Sequence, residues 1–111
     1  MTMVDRKAAT AAYKKREAVA GIYAVRCTAT GQVWVGRAGD LATIRTRLWF
    51  GLRTGANTHP SLQSAWNAHG ADSFSLEIVE ELAENNAAFR DALLRDRLKH
   101  WRGVLNADVV A

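Results

Sequence analysis

Two short segments near the start of the chain combine aromatic side chains with glycine. Residues 21–23 (GIY) and 34–36 (WVG) lie about a dozen residues apart, and Arg37, Arg45 and Arg47 follow the second segment. A guanidinium group grips a phosphate through two parallel hydrogen bonds, which fixes the orientation of the phosphate. These residue types therefore raise the question of whether the chain acts on a phosphate-bearing molecule.

The charge is distributed unevenly along the sequence. Residues 1–53 carry ten Lys or Arg against three Asp or Glu, whereas residues 54–111 carry five against eight. A basic half on a small domain favours a polyanionic partner, of which nucleic acid is the commonest. The alternative is a solvated surface that only keeps the protein soluble.

Length and composition indicate an ordinary globular domain. At 111 residues the chain is long enough for one hydrophobic core and too short for two. It has no apolar run of the roughly 20 residues that a membrane span needs, so no membrane association is expected. The single cysteine, Cys27, cannot form an internal disulfide. We therefore expect a cytoplasmic protein.

The chemistry-bearing residues must be positioned by the elements around them. Residues 20–28 and 32–36 read as a β-hairpin whose turn uses Gly31 at positive φ. Tyr23, Val25 and Cys27 are predicted to share one face of the first strand.

Helical patterns surround this hairpin. Residues 4–18 favour a basic N-terminal helix, and Asp40 is a good N-cap for a helix that ends before Gly55. A second helix is predicted from Pro60 to about His69. Leu41, Ile44, Leu48 and Leu52 form the buried stripe of the first of these two helices, and Leu62 and Trp66 mark the buried side of the second.

The second half of the chain adds a strand and a long helix. Residues 74–79 alternate as a third strand, and residues 87–102 follow as a helix with Phe89, Leu93, Leu94, Leu98 and Trp101 facing inward. The predicted fold is α/β of the α+β type, a small three-stranded antiparallel sheet flanked by helices. Its units are an N-terminal helix (1–19), the main domain (20–105) and a C-terminal tail (106–111).

This pattern resembles the GIY-YIG nuclease family. Residues 21–23 match the first half of its motif and residues 34–36 the second half, at hairpin spacing, before Asp40 opens a helix. Residues 62–70 (LQSAWNAHG) and 74–82 (FSLEIVEEL) resemble the second helix and third strand of the family. The resemblance covers roughly residues 20–102.

The resemblance implies hydrolysis of a nucleic-acid phosphodiester, with DNA as the expected partner and one divalent cation, Mg²⁺ or Mn²⁺, as cofactor. Phosphoryl transfer accumulates charge on the non-bridging oxygens. A cation and a guanidinium beside those oxygens therefore lower the barrier.

The motif residues receive their roles from this resemblance. Tyr23 matches the first tyrosine, which is implied to act as general base or to orient the attacking water. Trp34 replaces the second tyrosine, and its indole can donate a hydrogen bond and stack but cannot take a proton from water. Trp34, Gly36 and Arg37 are the expected substrate-binding residues.

The basic residues match the family's positions less closely than the motif residues do. The usual spacing of the family's arginine lands on Ile44, so the resemblance implies Arg45 or Arg47 as the phosphate-stabilising residue. His59 resembles a histidine that some members keep before the second helix. Its alternative role is that of a surface residue or a helix cap.

The metal ligand is displaced in this sequence. The position of the family's metal-binding glutamate falls on Leu98, and Asp96, two residues earlier, is the expected ligand. Asp91 is a second carboxylate on the same helix.

Three hypotheses remain at this point. The first is a metal-dependent endonuclease, and the second is a nucleic-acid-binding module of the same fold that has lost hydrolysis. The third is a protein-interaction domain that uses the aromatic pair Trp49 and Phe50 as a partner surface. With no accessory DNA-binding domain in the sequence, the first hypothesis carries the expectation of low intrinsic specificity or of recruitment by a protein partner.

Overall fold

Strand β1 (Ala20–Cys27) is the centre of the sheet. The computed structural model describes residues 19–82 and 86–110, so the predicted helix at 4–18 lies outside the described residues. β1 pairs antiparallel with β2 (Val33–Ala38) on one side and with β3 (Phe74–Leu82) on the other. Gly31 takes φ +77° between β1 and β2, which confirms the predicted turn.

The first two helices begin and end where their capping residues predict, and the third runs three residues past its predicted end at residue 102. The Asp40 carboxylate accepts a hydrogen bond from the Ala42 N–H, and α1 (Leu41–Thr54) ends at Gly55 with φ +76°. Helix α2 (Pro60–His69) has its proline in the first turn. Helix α3 (Ala87–Leu105) is capped by the Asn86 side chain. No described helix is long and apolar enough to cross a membrane.

The sheet is buried on both faces. We call the face covered by α1 and α2 the α1 face and the face covered by α3 the α3 face. Because side chains alternate along β1, Tyr23 and Val25 enter the core of the α1 face while Ile22 and Ala24 enter that of the α3 face. The α1-face core is completed by Ile44, Leu48, Leu52, Leu62 and Trp66, as the helical spacing predicts.

The sheet has four strands and not the predicted three. Residues Asp108–Val109 of the predicted tail form β4, which pairs parallel with β2 and gives the order β3-β1-β2-β4. The sheet is therefore mixed. A two-residue strand has no alternation to detect in the sequence, and its pairing depends on the turn that reverses the chain after α3. That turn is made by Asn106, with φ +50°.

A β-bulge shifts the phase of β3. Tyr23 lies opposite Ile78, whereas Ile22 lies opposite Glu80, so Val79 is the additional residue. The strand extends to Leu82, three residues beyond the predicted end. After the bulge, Glu80 and Leu82 lie on the α3 face, where Glu80 accepts hydrogen bonds from Arg97 Nε and Trp101 Nε1, both at 2.7 Å.

Helix α3 buries fewer residues than predicted. Leu94 and Leu98 enter the core of the α3 face, and Trp101 packs against it. Phe89 and Leu93 were expected to face inward, but Phe89 is 66% exposed and Leu93 37%. The buried stripe of this helix is therefore narrower than the set of its apolar residues predicts.

Candidate nuclease site on the α1 face

Tyr23 is held by the middle of the central strand. Its side chain is 2% exposed and belongs to the core of the α1 face. Its cross-strand partner on β2 is Gly36, and the phenol lies directly over that glycine. A Cβ added to Gly36 would lie 2.3 Å from the Tyr23 hydroxyl oxygen. The two halves of the motif therefore meet in one contact. Because Gly36 has no side chain, the phenol of Tyr23 fits over it.

The environment of Tyr23 keeps its hydroxyl protonated. Burial raises the pKa of the Tyr23 phenol to about 12, and the positive charge of Arg47 opposes this shift only in part. At neutral pH the group is a neutral hydroxyl that can donate one hydrogen bond and accept others. The electrostatic interaction also identifies Arg47 as a cation that acts on the phenol.

Arg45 and Arg47 lie on different flanks of α1. Two residues correspond to about 200° around a helix, so their side chains diverge. Arg45 donates from Nη2 to the Leu76 carbonyl oxygen of β3 at 3.0 Å. The Tyr23 hydroxyl lies over β2, the neighbour of β1 on the other side. Of the two predicted arginines, Arg47 is the one whose positive charge acts on the Tyr23 phenol, whereas Arg45 binds a backbone carbonyl at the edge of the sheet.

Trp34 is fully buried, and its polar atom has a partner. The indole Nε1 donates to Ser61 Oγ at 3.1 Å, and the ring stacks on Phe74 with 6.1 Å between centroids. The indole thus joins β2 to the first turn of α2. Sequence reasoning did not identify Ser61, since nothing in the sequence distinguishes it from other helix-start serines.

His59 is the N-cap of α2. Its Nδ1 accepts a hydrogen bond from the Leu62 N–H at 3.3 Å. Accepting at Nδ1 places the proton of the neutral ring on Nε2. The structure therefore gives His59 the capping role named as its alternative, and leaves Nε2 as the nitrogen that could meet a ligand.

Arg37 lies on the opposite side of the sheet from Tyr23. It alternates with Gly36 along β2, and its Nη1 is 3.4 Å from Asp91 Oδ1 on α3. The pair borders an open cavity of about 350 Å³ at the start of α3, which is lined by Arg37, Gly39, Ala87, Arg90, Asp91 and Leu94. The structure does not bring Arg37 together with Tyr23.

Asp96 is also not brought together with Tyr23. Helix α3 covers the α3 face, and Asp96 is an exposed residue that borders an apolar surface with Phe89, Ala92 and Leu93. Among residues 19–82 and 86–110, no three His, Cys, Asp or Glu side chains are grouped as a metal cage. The two acids of α3 therefore do not fit a cation shared with Tyr23.

The aromatic pair on α1 is divided between core and surface. Trp49 packs on Trp66 of α2 with 5.4 Å between ring centroids, whereas Phe50 is 58% exposed. A single exposed phenylalanine does not form the aromatic patch that the protein-interaction hypothesis requires.

Comparison with solved structures identifies the fold. A mutant form of the catalytic domain of intron endonuclease I-TevI is 30% identical in sequence and superposes with a TM-score of 0.67, covering 79% of this chain and 84% of that one. A second structure, the catalytic domain of homing endonuclease I-TevI, is 29% identical with a TM-score of 0.68, covering 83% and 98%.

The chain belongs to the GIY-YIG nuclease family. No protein-family model and no curated protein matches its sequence. The GIY-YIG assignment agrees with the resemblance carried by residues 21–23 and 34–36, and the similarity supports a nuclease. Within this GIY-YIG domain, the Tyr23–Gly36 contact joins the two half-motifs although Trp34 stands where the second tyrosine was expected.

Proposed function

We propose that the protein is a metal-dependent endonuclease that hydrolyses phosphodiester bonds in nucleic acid, with DNA as the substrate. The observation that carries this proposal is the Tyr23 hydroxyl, which lies over Gly36 and whose pKa is affected by the positive charge of Arg47. The fold around these groups is similar to an endonuclease catalytic domain over about four-fifths of the chain.

The residues divide the chemistry between them. With a pKa of about 12, Tyr23 is protonated at neutral pH. Its hydroxyl therefore orients the attacking water through a hydrogen bond and does not act as a preformed phenolate base. Arg47 binds a non-bridging oxygen of the scissile phosphate and stabilises the charge that develops there. A divalent cation, when bound, supplies further charge neutralisation at the same phosphate.

Cleavage of plasmid DNA tests this function. The protein is incubated with supercoiled DNA and either Mg²⁺ or Mn²⁺, alongside Tyr23→Phe and Arg47→Ala. We expect nicking by the wild type and a reduction of about 10²–10³-fold in each variant, the usual effect of removing one group that stabilises a transition state. Arg53→Ala removes an exposed arginine from the end of the same helix and should cleave normally.

Two outcomes would contradict the proposal. If the wild type leaves single- and double-stranded DNA intact with both metals, the protein is not this enzyme. If it cleaves and Tyr23→Phe cleaves equally well, the activity belongs to another site or to a contaminant.

A second candidate function is nucleic-acid binding without hydrolysis. It is favoured by the near-complete burial of Tyr23, by the engagement of the Trp34 indole with Ser61, and by the position of Asp96 on the other side of the sheet. This function predicts salt-dependent binding, because a protein that binds phosphates releases their counterions.

The salt slope distinguishes binding through α1 from general attraction. Replacing both Arg45 and Arg47 with alanine should weaken binding and lower the slope of log K against log salt by about one for each phosphate that the variant no longer binds. The single variants Arg45→Ala and Arg47→Ala are each compared with Arg53→Ala, which removes one exposed charge from the same helix. An unchanged slope in the double variant would remove α1 from the binding surface.

A further inference from the structure

The cavity at the start of α3 brings two guanidinium groups together on the face of the sheet opposite to Tyr23. Its volume is about 350 Å³, and it is lined by Arg37 of β2 and Arg90 of α3, which we call the two cavity arginines. They come from distant parts of the chain, so no local sequence pattern predicts their proximity. Two guanidiniums that line one cavity are suited to bind an anion between them.

The position of Arg90 follows from the way α3 packs on the sheet. Residues 87, 90, 91 and 94 share one side of the helix, since residues three and four apart are neighbours. Leu94 enters the core of the α3 face. Arg90 and Asp91 therefore lie one turn before that core, where the helix faces the end of β2. Arg90 is half-buried there, whereas Arg102 at the other end of the helix is exposed.

The carboxylate beside the cavity does not neutralise both guanidiniums. Arg37 Nη1 is 3.4 Å from Asp91 Oδ1, and the other oxygen of Asp91 lies 3.8 Å from Arg95 Nη2. Asp91 is thus shared between two arginines, with neither at close range. Within residues 19–82 and 86–110, the Arg90 guanidinium has no hydrogen-bond or ion-pair partner. A half-buried cation without a partner gains more from a ligand anion than a fully solvated one does.

The backbone and the nearby acid at the start of α1 have other partners. Asn86 Oδ1 accepts hydrogen bonds from the Ala88 and Phe89 N–H groups at 3.0 and 3.2 Å, so the N-terminal end of α3 is already capped. The Asp40 carboxylate accepts from the Ala42 N–H at 3.0 Å and caps α1. A ligand in the cavity therefore depends on the side chains of the two cavity arginines.

We propose that Arg37 and Arg90 bind the phosphate group of a phosphate monoester in this cavity. A monoester carries about two negative charges at pH 7 and three acceptor oxygens, which match two guanidiniums. A phosphodiester within a nucleic-acid strand carries only one charge. The bound phosphate replaces Asp91 beside Arg37, and Asp91 keeps Arg95 as its partner. Two ligands present this group, a free mononucleotide and the 5′-terminal phosphate of a nucleic-acid strand.

Chemical-shift changes in the ¹⁵N-labelled full chain test the site. Adenosine 5′-monophosphate is added in the presence of EDTA, with adenosine as the ligand that lacks the phosphate. We expect the amide signals of Gly39, Ala87 and Arg90 to shift with the monophosphate only. Arg90→Ala should weaken binding by about tenfold, the effect of removing one charge-assisted contact. Arg102→Ala, which removes an exposed arginine from the same helix, should bind as the wild type does.

Asp91→Asn should act in the opposite direction. It removes the negative charge that competes for Arg37, so binding should tighten by about two- to fivefold, the effect of one partly exposed charge. Asp96→Asn removes an exposed acid of the same helix that does not line the cavity, and should leave the affinity unchanged. Equal effects of the two substitutions would indicate general attraction to a basic protein and would overturn the site. The spectra of the variants show at the same time that they are folded.

A short single-stranded oligonucleotide, with and without a 5′-phosphate, distinguishes the two sources. Tighter binding of the phosphorylated strand than of the mononucleotide, at the same amides, assigns the site to a strand end, and equal affinity assigns it to the free monoester. Equal shifts with the two oligonucleotides overturn the proposal, as does an Arg90→Ala variant that binds the monophosphate as tightly as the wild type. None of these measurements involves cleavage, so this proposal and the nuclease function can fail separately.

Discussion

The Tyr23 hydroxyl of β1 lies against the backbone of Gly36 on β2, so closely that a side chain on residue 36 would clash with it. A Cβ there would lie 2.3, 2.4 and 2.8 Å from Oη, Cζ and Cε1 of the tyrosine. The phenol is enclosed by the core and cannot move aside freely. Glycine is therefore needed at position 36 because it has no side chain. Its backbone conformation does not require glycine, since its φ is not positive.

Gly36→Ala tests this packing relationship. We expect it to lower the free energy of unfolding by about 1–3 kcal/mol, the usual cost of overpacking a core, as measured by urea denaturation. Gly39→Ala is the matched control because a Cβ at residue 39 meets nothing within 4 Å. Equal effects of the two substitutions would show that the space over Gly36 is not restricted.

Tyr23→Phe should alter the alkaline stability of the protein. The native pKa of about 12 lies above the ordinary value of 10.0, so the folded state holds the phenolic proton more tightly than the unfolded chain does. Stability from this group is complete below pH 10 and is lost as the pH rises towards 12. Two pKa units correspond to about 3 kcal/mol as an upper bound.

Unfolding measured by urea at pH 8 and pH 11 checks this expectation. The wild type should lose more stability than Tyr23→Phe between the two values, and the difference isolates Tyr23 from the lysines that titrate in the same range. Parallel declines in the two proteins would mean that the phenol is not protected from ionisation by burial.

Glu80 should make the attachment of α3 sensitive to acid. Burial of the carboxyl raises its pKa, but hydrogen bonds from Trp101 and Arg97 outweigh this effect, and the net pKa is lowered. A carboxylate with a lowered folded pKa contributes stability above its unfolded pKa and loses it as the pH falls through the folded value.

Glu80→Gln should therefore cost about 1–2 kcal/mol at pH 7, since it replaces charge-assisted hydrogen bonds to groups that are only partly exposed to solvent. The cost should shrink as the pH is lowered below about 4.5, the ordinary value for glutamate. Glu81→Gln changes the exposed neighbour and should have little effect. Thermal unfolding at pH 7 and pH 3.5 provides the comparison, and a constant difference between wild type and Glu80→Gln would contradict it.

Ser61→Ala should destabilise the protein through Trp34. The indole N–H is buried and donates to Ser61 Oγ, so the substitution leaves a donor without its partner. An unsatisfied buried donor costs about 1–3 kcal/mol. Ser64→Ala, at an exposed position on the same helix, should change the melting temperature very little. A Ser61→Ala protein as stable as Ser64→Ala would show that the hydrogen bond contributes nothing to folding.

Much of the fold was predictable because its signals are local. Asp40 and Gly55 bound α1 as capping chemistry requires, and the alternation of β1 correctly grouped Tyr23, Val25 and Cys27 on one face. Residues 21–23 and 34–36 were sufficient to identify the family, since the two half-motifs and the order of elements agree.

The remaining features depend on relationships that a linear pattern does not contain. Separating Arg45 from Arg47 requires the rotation of α1 about its axis relative to β2 and β3. Strand β4 is stabilised by pairing with a strand more than seventy residues earlier in the chain. Phe89 is exposed because the sheet covers only part of α3. The positions of the apolar residues along the helix do not reveal how large that part is.

The bulge in β3 makes one residue of the strand dispensable for its pattern of alternation. Ile78 already shares a face with Tyr23, and Glu80 already shares one with Ile22, so Val79 stands between two segments that are each in regular alternation. Deletion of Val79 alone would straighten the strand and leave every other residue of β3 on its present face. Deletion of any residue before the bulge would move part of the strand to the opposite face. A one-residue deletion in the course of divergence is thus tolerated most easily at this position, and alignments of more distant relatives should place their gap there.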